Sequence, residues 1–313
     1  MSQEQRIVPV TILTGFLGSG KTTVLNRLLC LPELADTAVI VNEFGEIGLD
    51  HLLIEQAIED AVLLKNGCIC CTVRGDIADT LRDLFARRAR GDLPWFSRIA
   101  IETTGLADPA PVAQSILESG EDCCLDAIVT TADALNLAQQ VAAHETARHQ
   151  IAFADRLLLT KSDLASSAQI AEAERILVLL NPRAAILRVE EMTVEDVFGV
   201  GRSVAVDFRA VASAHGEISS VLLRAGELEW DGVRRWCESV LSLRGADILR
   251  IKGVLRLRGV GRPMVMQAVH HVVHPLQFLP EAAQVGEGSF LVVIGKNLSE
   301  AGLRESFVGW DRM

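Results

Sequence analysis

The 313-residue sequence contains no long apolar run and no excess of basic side chains. No run reaches the roughly 18 apolar residues that a membrane-spanning helix needs, so we expect no membrane segment. The net charge of -11 argues against non-specific binding to nucleic acid or to an anionic membrane, because both depend on clustered Lys and Arg. Repeats and low-complexity segments are missing too, and the absence of Tyr by itself excludes no function.

The N-terminal residues Met1 to Arg6 lack the basic and then apolar layout of a signal peptide, so we expect a cytoplasmic protein. In that compartment the seven cysteines are expected to be free, catalytic or metal-binding rather than disulfide-bonded. The chain length allows two domains, each with its own hydrophobic core.

A phosphate-binding loop is predicted at Gly15–Thr23, which fits the pattern Gly-x-x-x-x-Gly-Lys-Ser/Thr. A short apolar strand precedes the loop and an amphipathic helix follows it, which is the context in which this motif binds phosphates. Lys21 would supply a cation for the β- and γ-phosphates, and the Thr22 hydroxyl would ligate Mg²⁺. The residues expected to contact the nucleotide are Gly15, Leu17, Gly18, Ser19, Gly20, Lys21, Thr22 and Thr23.

Short apolar strands alternate with amphipathic helices through residues 1–200, which predicts an α/β domain with a mostly parallel sheet. The segments that carry chemistry follow predicted strand ends, at the sheet edge where ligands bind in such folds. A linker is predicted at 201–216, followed by a small α+β C-terminal domain at 217–313. The strands predicted after the first are Thr37–Val41, Ala61–Leu64, Arg98–Ile101, Leu125–Thr131 and Arg156–Thr160.

Two further loops fit a nucleotide site. Glu102 follows a buried strand and could reach the Mg²⁺ shell, while the Gly105 N–H could meet a γ-phosphate; together with Lys21 they form the candidate catalytic set. The run from Thr160 to Asp163 resembles a guanine-reading loop. A carboxylate such as Asp163 accepts from N1–H and the 2-amino group of guanine, and Lys161 would pack along the base.

Three thiols within four residues, Cys68, Cys70 and Cys71, favour a soft or borderline cation such as Zn²⁺, Co²⁺ or Cu⁺. Three ligands on one short loop leave a coordination position open, which suits a transferable ion. The alternatives are small buried hydrophobic residues or a redox pair. The remaining cysteines, Cys30, Cys123, Cys124 and Cys237, are expected to serve packing.

Histidines give weaker signals. His144 and His149 lie five residues apart on one predicted helix, so their side chains would point away from each other. His270, His271 and His274 lie in an apolar run; if it is a strand, the first and last share a face.

With these residues together, the chain resembles the CobW-like metallochaperone GTPases, a branch of the P-loop GTPases related to urease and hydrogenase maturation factors. The motifs that carry the resemblance are Gly15–Thr23, Asn42–Glu46, Gly67–Cys71, Glu102–Pro109, Thr160–Asp163 and Ile251–Gly253.

The resemblance implies binding of GTP and GDP with Mg²⁺, slow GTP hydrolysis, and a transition-metal site on the cysteine loop. We expect Glu43 or Glu46 to be a further ligand of the metal or a hydrogen-bond partner of its ligands. The resemblance also implies delivery of the metal, most often zinc, to a client metalloprotein. Metal and nucleotide binding would be coupled, and the C-terminal domain would dock the client or form a homodimer. Two departures from the family are Thr160, where many GTPases have Asn, and the lack of a histidine-rich stretch near the domain junction.

Other functions remain open at this point. One is an assembly or signalling GTPase that delivers no metal, and another is a cobalt-handling homologue in cobalamin synthesis. A P-loop kinase that uses ATP is a third, against which Asp163 argues.

Overall fold

The computed structural model describes residues 7–42, 69–73, 76–199, 218–245, 247–279 and 286–310. The strand predicted at Ala61–Leu64, the linker predicted at 201–216, and Glu43, Glu46 and Cys68 lie outside the described residues. The chain divides into two compact units, one comprising Met1–Leu177 with Ala184–Gly201 and the other Val178–Arg183 with Arg202–Met313.

The first unit is built on a sheet of seven described strands in the order β3-β2-β4-β1-β5-β6-β7, and every pairing in it is parallel. The strands are β1 Val8–Gly15, β2 Thr37–Asn42, β3 Ile69–Val73, β4 Arg98–Thr103, β5 Cys123–Asp133, β6 Arg156–Thr160 and β7 Ala185–Arg188. The α-helices between them are α1 Lys21–Leu29, α2 Ile77–Arg90, α3 Pro109–Glu118, α4 Leu137–Ala143, α5 Glu145–Phe153 and α6 Ser167–Leu180.

Local sequence explains where several helices begin. Asp76 caps α2 by accepting from the Ala78 N–H at 2.8 Å, and Asp108 caps α3 by accepting from the Ala110 N–H at 2.9 Å. Pro109 occupies the first position of α3, where the missing N–H costs nothing.

β1 lies at the centre of the sheet between β4 and β5. Helix α1 buries Val24, Leu25 and Leu28 in one core cluster with Leu13 of β1 and Val39 of β2. Because the strands are parallel, their carboxyl ends meet at one edge, and the loop that follows β1 lies there between the ends of β4 and β5.

The cysteine segment differs from the prediction. We expected a loop after a strand, but Cys70 and Cys71 lie within β3, opposite Val39 and Ile40 of β2. The sequence Ile-Cys-Cys-Thr-Val is rich in β-branched residues, which favour a paired strand over a loop. β3 is three strands from β1, which corresponds to a lateral distance of about 14 Å at the usual strand spacing.

The second unit carries an antiparallel sheet in the order β11-β10-β9-β13-β8, with β12 also paired to β10. Its core packs Trp236 of one helix against the sheet, and Trp236 meets Phe307 of the other helix edge to face at 5.0 Å between ring centroids. The elements are β8 Ile218–Ala225, α7 Trp230–Arg244, β9 Ile248–Leu255, β10 Met264–Val269, β11 Val272–Val273, β12 Gln277–Phe278, β13 Ser289–Lys296 and α8 Glu300–Trp310.

The expected fold class, an α/β unit with a parallel sheet and a smaller α+β unit, is confirmed. His270, His271 and His274 do not lie on one strand, so the shared face considered for His270 and His274 does not arise. His270 and His271 form the turn between β10 and β11, and His270 has a φ of 48°. Among the described helices, none has the length and the apolar character that a membrane span requires.

Candidate functional site

The loop after β1 wraps closely against the end of β5. Gly15 has a φ of 143°, and a Cβ at this position would lie 2.5 Å from the Thr131 carbonyl oxygen, so a side chain cannot be accommodated. The Ser19 hydroxyl is hydrogen-bonded to the Thr131 hydroxyl at 2.7 Å. Helix α1 begins directly after the loop, at Lys21, and has no acidic residue in its first turn, so its N-terminus can face an anion.

Lys21 is held over this loop rather than extended into solvent. Its ammonium donates to the carbonyl oxygens of Gly15 at 3.0 Å and Phe16 at 3.3 Å. The loop therefore carries its cation in place beside the backbone N–H groups that can bind a phosphate. Among the other predicted contact residues, Leu17 and Thr23 have exposed side chains.

A side-chain hydrogen bond joins the phosphate loop to the end of β4. The Thr22 hydroxyl donates to Oε1 of Glu102 at 2.6 Å, and the Glu102 side chain is buried. A hydroxyl and a carboxylate are the ligands that Mg²⁺ prefers in proteins, so this pair fits a hard divalent cation beside the phosphate loop. The two residues are 80 positions apart in the sequence and meet because β1 and β4 are neighbours.

Gly105 brings the turn after β4 against the phosphate loop. A Cβ at Gly105 would lie 2.7 Å from both the N and the Cα of Leu17. Gln150 of α5 holds this turn from the other side, because its side-chain amide donates to the Gly105 carbonyl at 3.2 Å and to the Ala107 carbonyl at 2.9 Å. The contact is buried, since Gln150 is 1% exposed.

Thr160 links the proposed base-reading loop to the phosphate loop. Its hydroxyl lies 2.8 Å from the Ser19 carbonyl oxygen and 3.1 Å from the Ala132 carbonyl oxygen, and its one proton is shared between these two acceptors. The methyl group of Thr160 also packs beside Gly20, where a Cβ would lie 3.6 Å from Cγ2 of Thr160. Thr160 stands where many GTPases have Asn, and it connects the base-reading loop to the phosphate loop.

The neighbouring Lys161 forms an ion pair with Asp133, with Nζ 2.7 Å from Oδ2. Burial by itself would raise the pKa of the Asp133 carboxyl. Hydrogen bonds from Lys161, from the Asn136 side chain and from the Leu135 N–H outweigh burial, so the pKa of Asp133 lies below its ordinary value. Asp133 is therefore an anion at neutral pH. Asp163, the predicted base-reading carboxylate, is exposed.

The predicted metal ligands fall largely outside the described residues, which cover neither Cys68 nor Glu43 nor Glu46. The backbones of Cys70 and Cys71 are in β3, the last strand at one side of the described sheet. Within the described ranges no group of three or more His, Cys, Asp and Glu side chains could hold a metal ion.

The cysteines outside the predicted metal site differ in burial. Cys237 is buried, as expected of a packing residue, and burial raises the pKa of its thiol to about 12. Cys123 is half-buried, and burial raises the pKa of its thiol to about 11. Cys30 is exposed at the end of α1, so the expectation that it serves packing is wrong.

His144 and His149 do not lie on one helix, contrary to the prediction. His144 separates α4 from α5, and its ring stacks on Phe16 of the phosphate loop with centroids 4.6 Å apart. His149 lies in α5, with Nδ1 3.5 Å from Asp108 and Nε2 3.3 Å from Glu145. Both histidines therefore contact the loops of the candidate site or their flanks.

Sequence reasoning missed Asp133 and Gln150. Asp133 ends a buried strand at the same sheet edge, the signal that identified Glu102, so it could have been found. Gln150 has no comparable signal, because its importance comes from a contact with residues 45 and 43 positions away.

Comparisons with known proteins agree with this arrangement. Residues 9–188 match the family model described as CobW/HypB/UreG, nucleotide-binding domain, and residues 218–309 match the family model of the cobalamin synthesis protein cobW C-terminal domain.

The zinc chaperone YjiA of Escherichia coli is 32% identical over 317 residues, which cover 96% of this chain and 98% of that protein. The zinc chaperone CobW of Pseudomonas aeruginosa is 39% identical over 189 residues, which cover 50% of this chain and 49% of that protein. The crystal structure of the Zn(II)-bound YjiA GTPase from E. coli matches with a TM-score of 0.72 at 29% identity, covering 97% of this chain and 98% of that one. Because the two family models match both structural units in chain order, the chain belongs to the CobW/HypB/UreG family and, within it, to the proteins that carry the CobW C-terminal domain.

Proposed function

We propose that this protein is a GTPase that binds a transition metal, which we assign as Zn²⁺, and transfers it to a client protein. The observation that carries the nucleotide half of the proposal is the 2.6 Å hydrogen bond between Thr22 and Glu102 beside the phosphate loop. The hydroxyl and the carboxylate that it joins are oxygen ligands of the kind that Mg²⁺ uses, and they lie where a γ-phosphate would bind.

The roles of the chain's own residues follow from their contacts. The N–H groups of Gly15–Thr23 and the Lys21 ammonium bind the phosphates, and Gly105, held against Leu17, presents its N–H to the γ-phosphate. Thr22 and Glu102 would hold Mg²⁺, which when bound neutralises charge that develops on the transferred phosphoryl group. Thr160, Lys161 and Asp163 select guanine.

The metal half of the proposal rests on thiolate chemistry and on the relatives. Cys68, Cys70 and Cys71 supply soft ligands, with Glu43 or Glu46 as oxygen ligands or as partners of the ligands. Relatives whose matches cover 96% and 50% of this chain are called zinc chaperones, which favours Zn²⁺ over Co²⁺. We place the protein in the cytoplasm and assign client docking or self-association to the C-terminal unit.

Coupling between the metal and the nucleotide would act across the sheet. β2 pairs with β4, with Val41 opposite Glu102 and its last residue, Asn42, opposite Thr103. The same strand pairs with β3, where Cys70 and Cys71 lie. β2 is therefore the connection through which a γ-phosphate would change metal affinity.

The nucleotide half is tested by measuring phosphate release from GTP and from ATP with Mg²⁺. We expect slow release that depends on Mg²⁺ and favours GTP. Equal turnover of the two nucleotides, or none of either, would contradict the assignment.

The metal half is tested by competition titration of Zn²⁺ in the presence of a GTP analogue and of GDP. We expect one tightly bound Zn²⁺ per chain, an affinity that differs between the two nucleotides, and loss of binding when Cys68, Cys70 and Cys71 are all changed to Ser. The matched control changes Cys123, Cys124 and Cys237, which lie outside the proposed ligand set. Equal affinities would disprove the coupling, and retained binding in the first variant would disprove the ligands.

A further inference from the structure

Lys161 has a backbone conformation that is unusual for a residue with a side chain. Its φ is 58°, in the left-handed region, which is unfavourable for most L-residues. The residue stands immediately after Thr160, which is fixed by a hydrogen bond shared between two carbonyl oxygens, and two positions before Asp163. This conformation therefore sets the direction in which the chain runs from Thr160, which contacts the phosphate loop, to Asp163.

Asp133 is the group that meets Lys161 in this conformation. The carboxylate is 1% exposed and lies 2.7 Å from the Lys161 ammonium, which is itself only partly exposed. Asp133 is held in turn, because Oδ1 accepts from the Leu135 N–H at 2.9 Å and Oδ2 accepts from the Asn136 amide at 2.8 Å. The turn between β5 and α4 thus provides a rigid anchor for the lysine.

The strand pairing brings the anchor to the loop. Asp133 is the last residue of β5 and is directly opposite Thr160, the last residue of β6. An ion pair between the two strand ends fixes the position of the loop without touching the phosphate-binding residues. A hydrogen bond to a charged, buried group is among the stronger ones in proteins, so the loop conformation depends on it.

We propose that Asp133 is a positioning residue for base specificity, which holds Lys161 and through it Asp163 in the geometry that recognises guanine. The inference rests on the proposed GTP binding and deepens it. With the loop already ordered, guanine binding avoids the cost of fixing it. Adenine offers no donor pair to Asp163, so its binding gains little from the ordered loop.

The test is the affinity of the Asp133→Asn variant for GDP and for ADP, measured by competition with a fluorescent guanine nucleotide. Asn keeps the shape and the bond from the Leu135 N–H but removes the charge that pairs with Lys161. We expect affinity for GDP to fall about 10-fold or more, as for the loss of a hydrogen bond to a charged group, with affinity for ADP nearly unchanged. An equal loss for both nucleotides, or no loss for GDP, would overturn the inference.

Asp126→Asn is the matched control. Asp126 is a buried aspartate near the other end of the same strand, and its Oδ2 accepts from the Gly199 N–H at 2.7 Å. We expect its ratio of GDP to ADP affinity to equal that of the wild type. An altered ratio in this control would show that removing any buried charge from β5 changes base preference. That result would also overturn the inference.

Lys161→Met provides a second variant that does not depend on the folding of Asp133→Asn. It keeps most of the side-chain length and removes the ammonium. We expect the same loss for GDP, and we expect Asp133→Asn in the Lys161→Met background to add little to it. Additive losses would contradict a shared mechanism.

A wild-type protein that does not prefer GDP to ADP would instead refute the proposed function, so failure of the inference and failure of the proposed function are distinguishable.

Discussion

At the scale of single residues, Gly105 shows how tightly the site is assembled. The missing side chain allows the turn after β4 to contact the backbone of Leu17. Since backbone atoms cannot move aside as a flexible side chain can, any larger residue must push the turn away from the phosphate loop.

We therefore expect Gly105→Ala to lower GTP turnover about 10-fold or more, since a displacement that costs ~1.4 kcal/mol in the transition state has that effect. GDP binding should change less, because GDP lacks the γ-phosphate that the Gly105 N–H would contact. Phosphate release and GDP titration measure the two effects. Gly226→Ala is the control, since a Cβ there has no neighbour within 4 Å. Unchanged turnover in Gly105→Ala would show that the close approach has no role in hydrolysis.

At the scale of elements, the α4–α5 segment holds both loops that surround the proposed phosphates. Gln140 of α4 donates to the Leu17 carbonyl at 3.4 Å, and His144 stacks on Phe16. Gln150 and His149 of α5 contact the turn that contains Gly105 and Asp108. This segment connects the phosphate loop to the turn after β4 without contributing a predicted catalytic group.

Gln150→Leu should loosen the turn, because it leaves the carbonyl oxygens of Gly105 and Ala107 without the donor that they share. Loss of buried hydrogen bonds of this kind costs about 1–3 kcal/mol. We expect kcat for GTP to fall and the KM to rise, while the ratio of GTP to ATP turnover stays as in the wild type, since the base-reading loop is unaffected. Steady-state kinetics with both nucleotides measure this.

The control for that experiment is Gln139→Leu, at an exposed position of α4. Its kinetics should match the wild type. If Gln150→Leu also keeps wild-type kinetics, α5 does not position the turn during turnover.

At the scale of the whole molecule, each unit has its own core, and the C-terminal core contains a titratable group that burial holds neutral. Burial, with a smaller contribution from the Arg250 cation, lowers the pKa of His274 to about 4. His274 is 4% exposed, and neither ring nitrogen has a hydrogen-bond partner in the described part of the chain.

Acid should therefore destabilise the C-terminal unit through His274. In the unfolded chain His274 binds a proton near the ordinary histidine pKa of about 6.5. The contribution of neutral His274 to the free energy of unfolding is therefore complete above that pH and is lost as the pH falls toward 4. The loss is on the order of 3 kcal/mol at most, by the free energy per pKa unit. Urea unfolding at pH 7.5 and pH 5, followed by tryptophan fluorescence, measures it, and buried Trp236 reports on this unit.

His274→Asn should show a smaller loss of stability between the two pH values than the wild type. His271→Asn, in the exposed turn, should show the wild-type loss. Equal pH dependence in all three proteins would exclude His274 as the source.

Much of the fold is predictable from the sequence because its signals are local. The strand Arg156–Thr160 agrees with its prediction to the residue, and Asp76 and Asp108 mark the beginnings of their helices in the sequence itself. The phosphate loop is equally local, since Gly15 to Thr23 contain both the turn and the cation.

The predictions fail where a local signal is ambiguous. The cysteine motif predicts a loop at Cys70 and Cys71, but pairing with β2 draws both residues into a strand. The apolar run around His270 predicts a strand, yet the chain turns there with a positive φ, for which the local sequence carries no glycine signal.

The sequence by itself determined the alternation of strands and helices in the first unit, the phosphate-binding motif and the family, since each depends on residues that are neighbours along the chain. Only the tertiary structure decided that Thr22 meets Glu102, that Asp133 anchors Lys161 and that Gln150 holds the Gly105 turn. These pairs are separated by 80, 28 and 45 positions. The first two meet because parallel pairing brings the carboxyl ends of β1, β4, β5 and β6 to one edge of the sheet, and the third meets because α5 lies against the turn that follows β4.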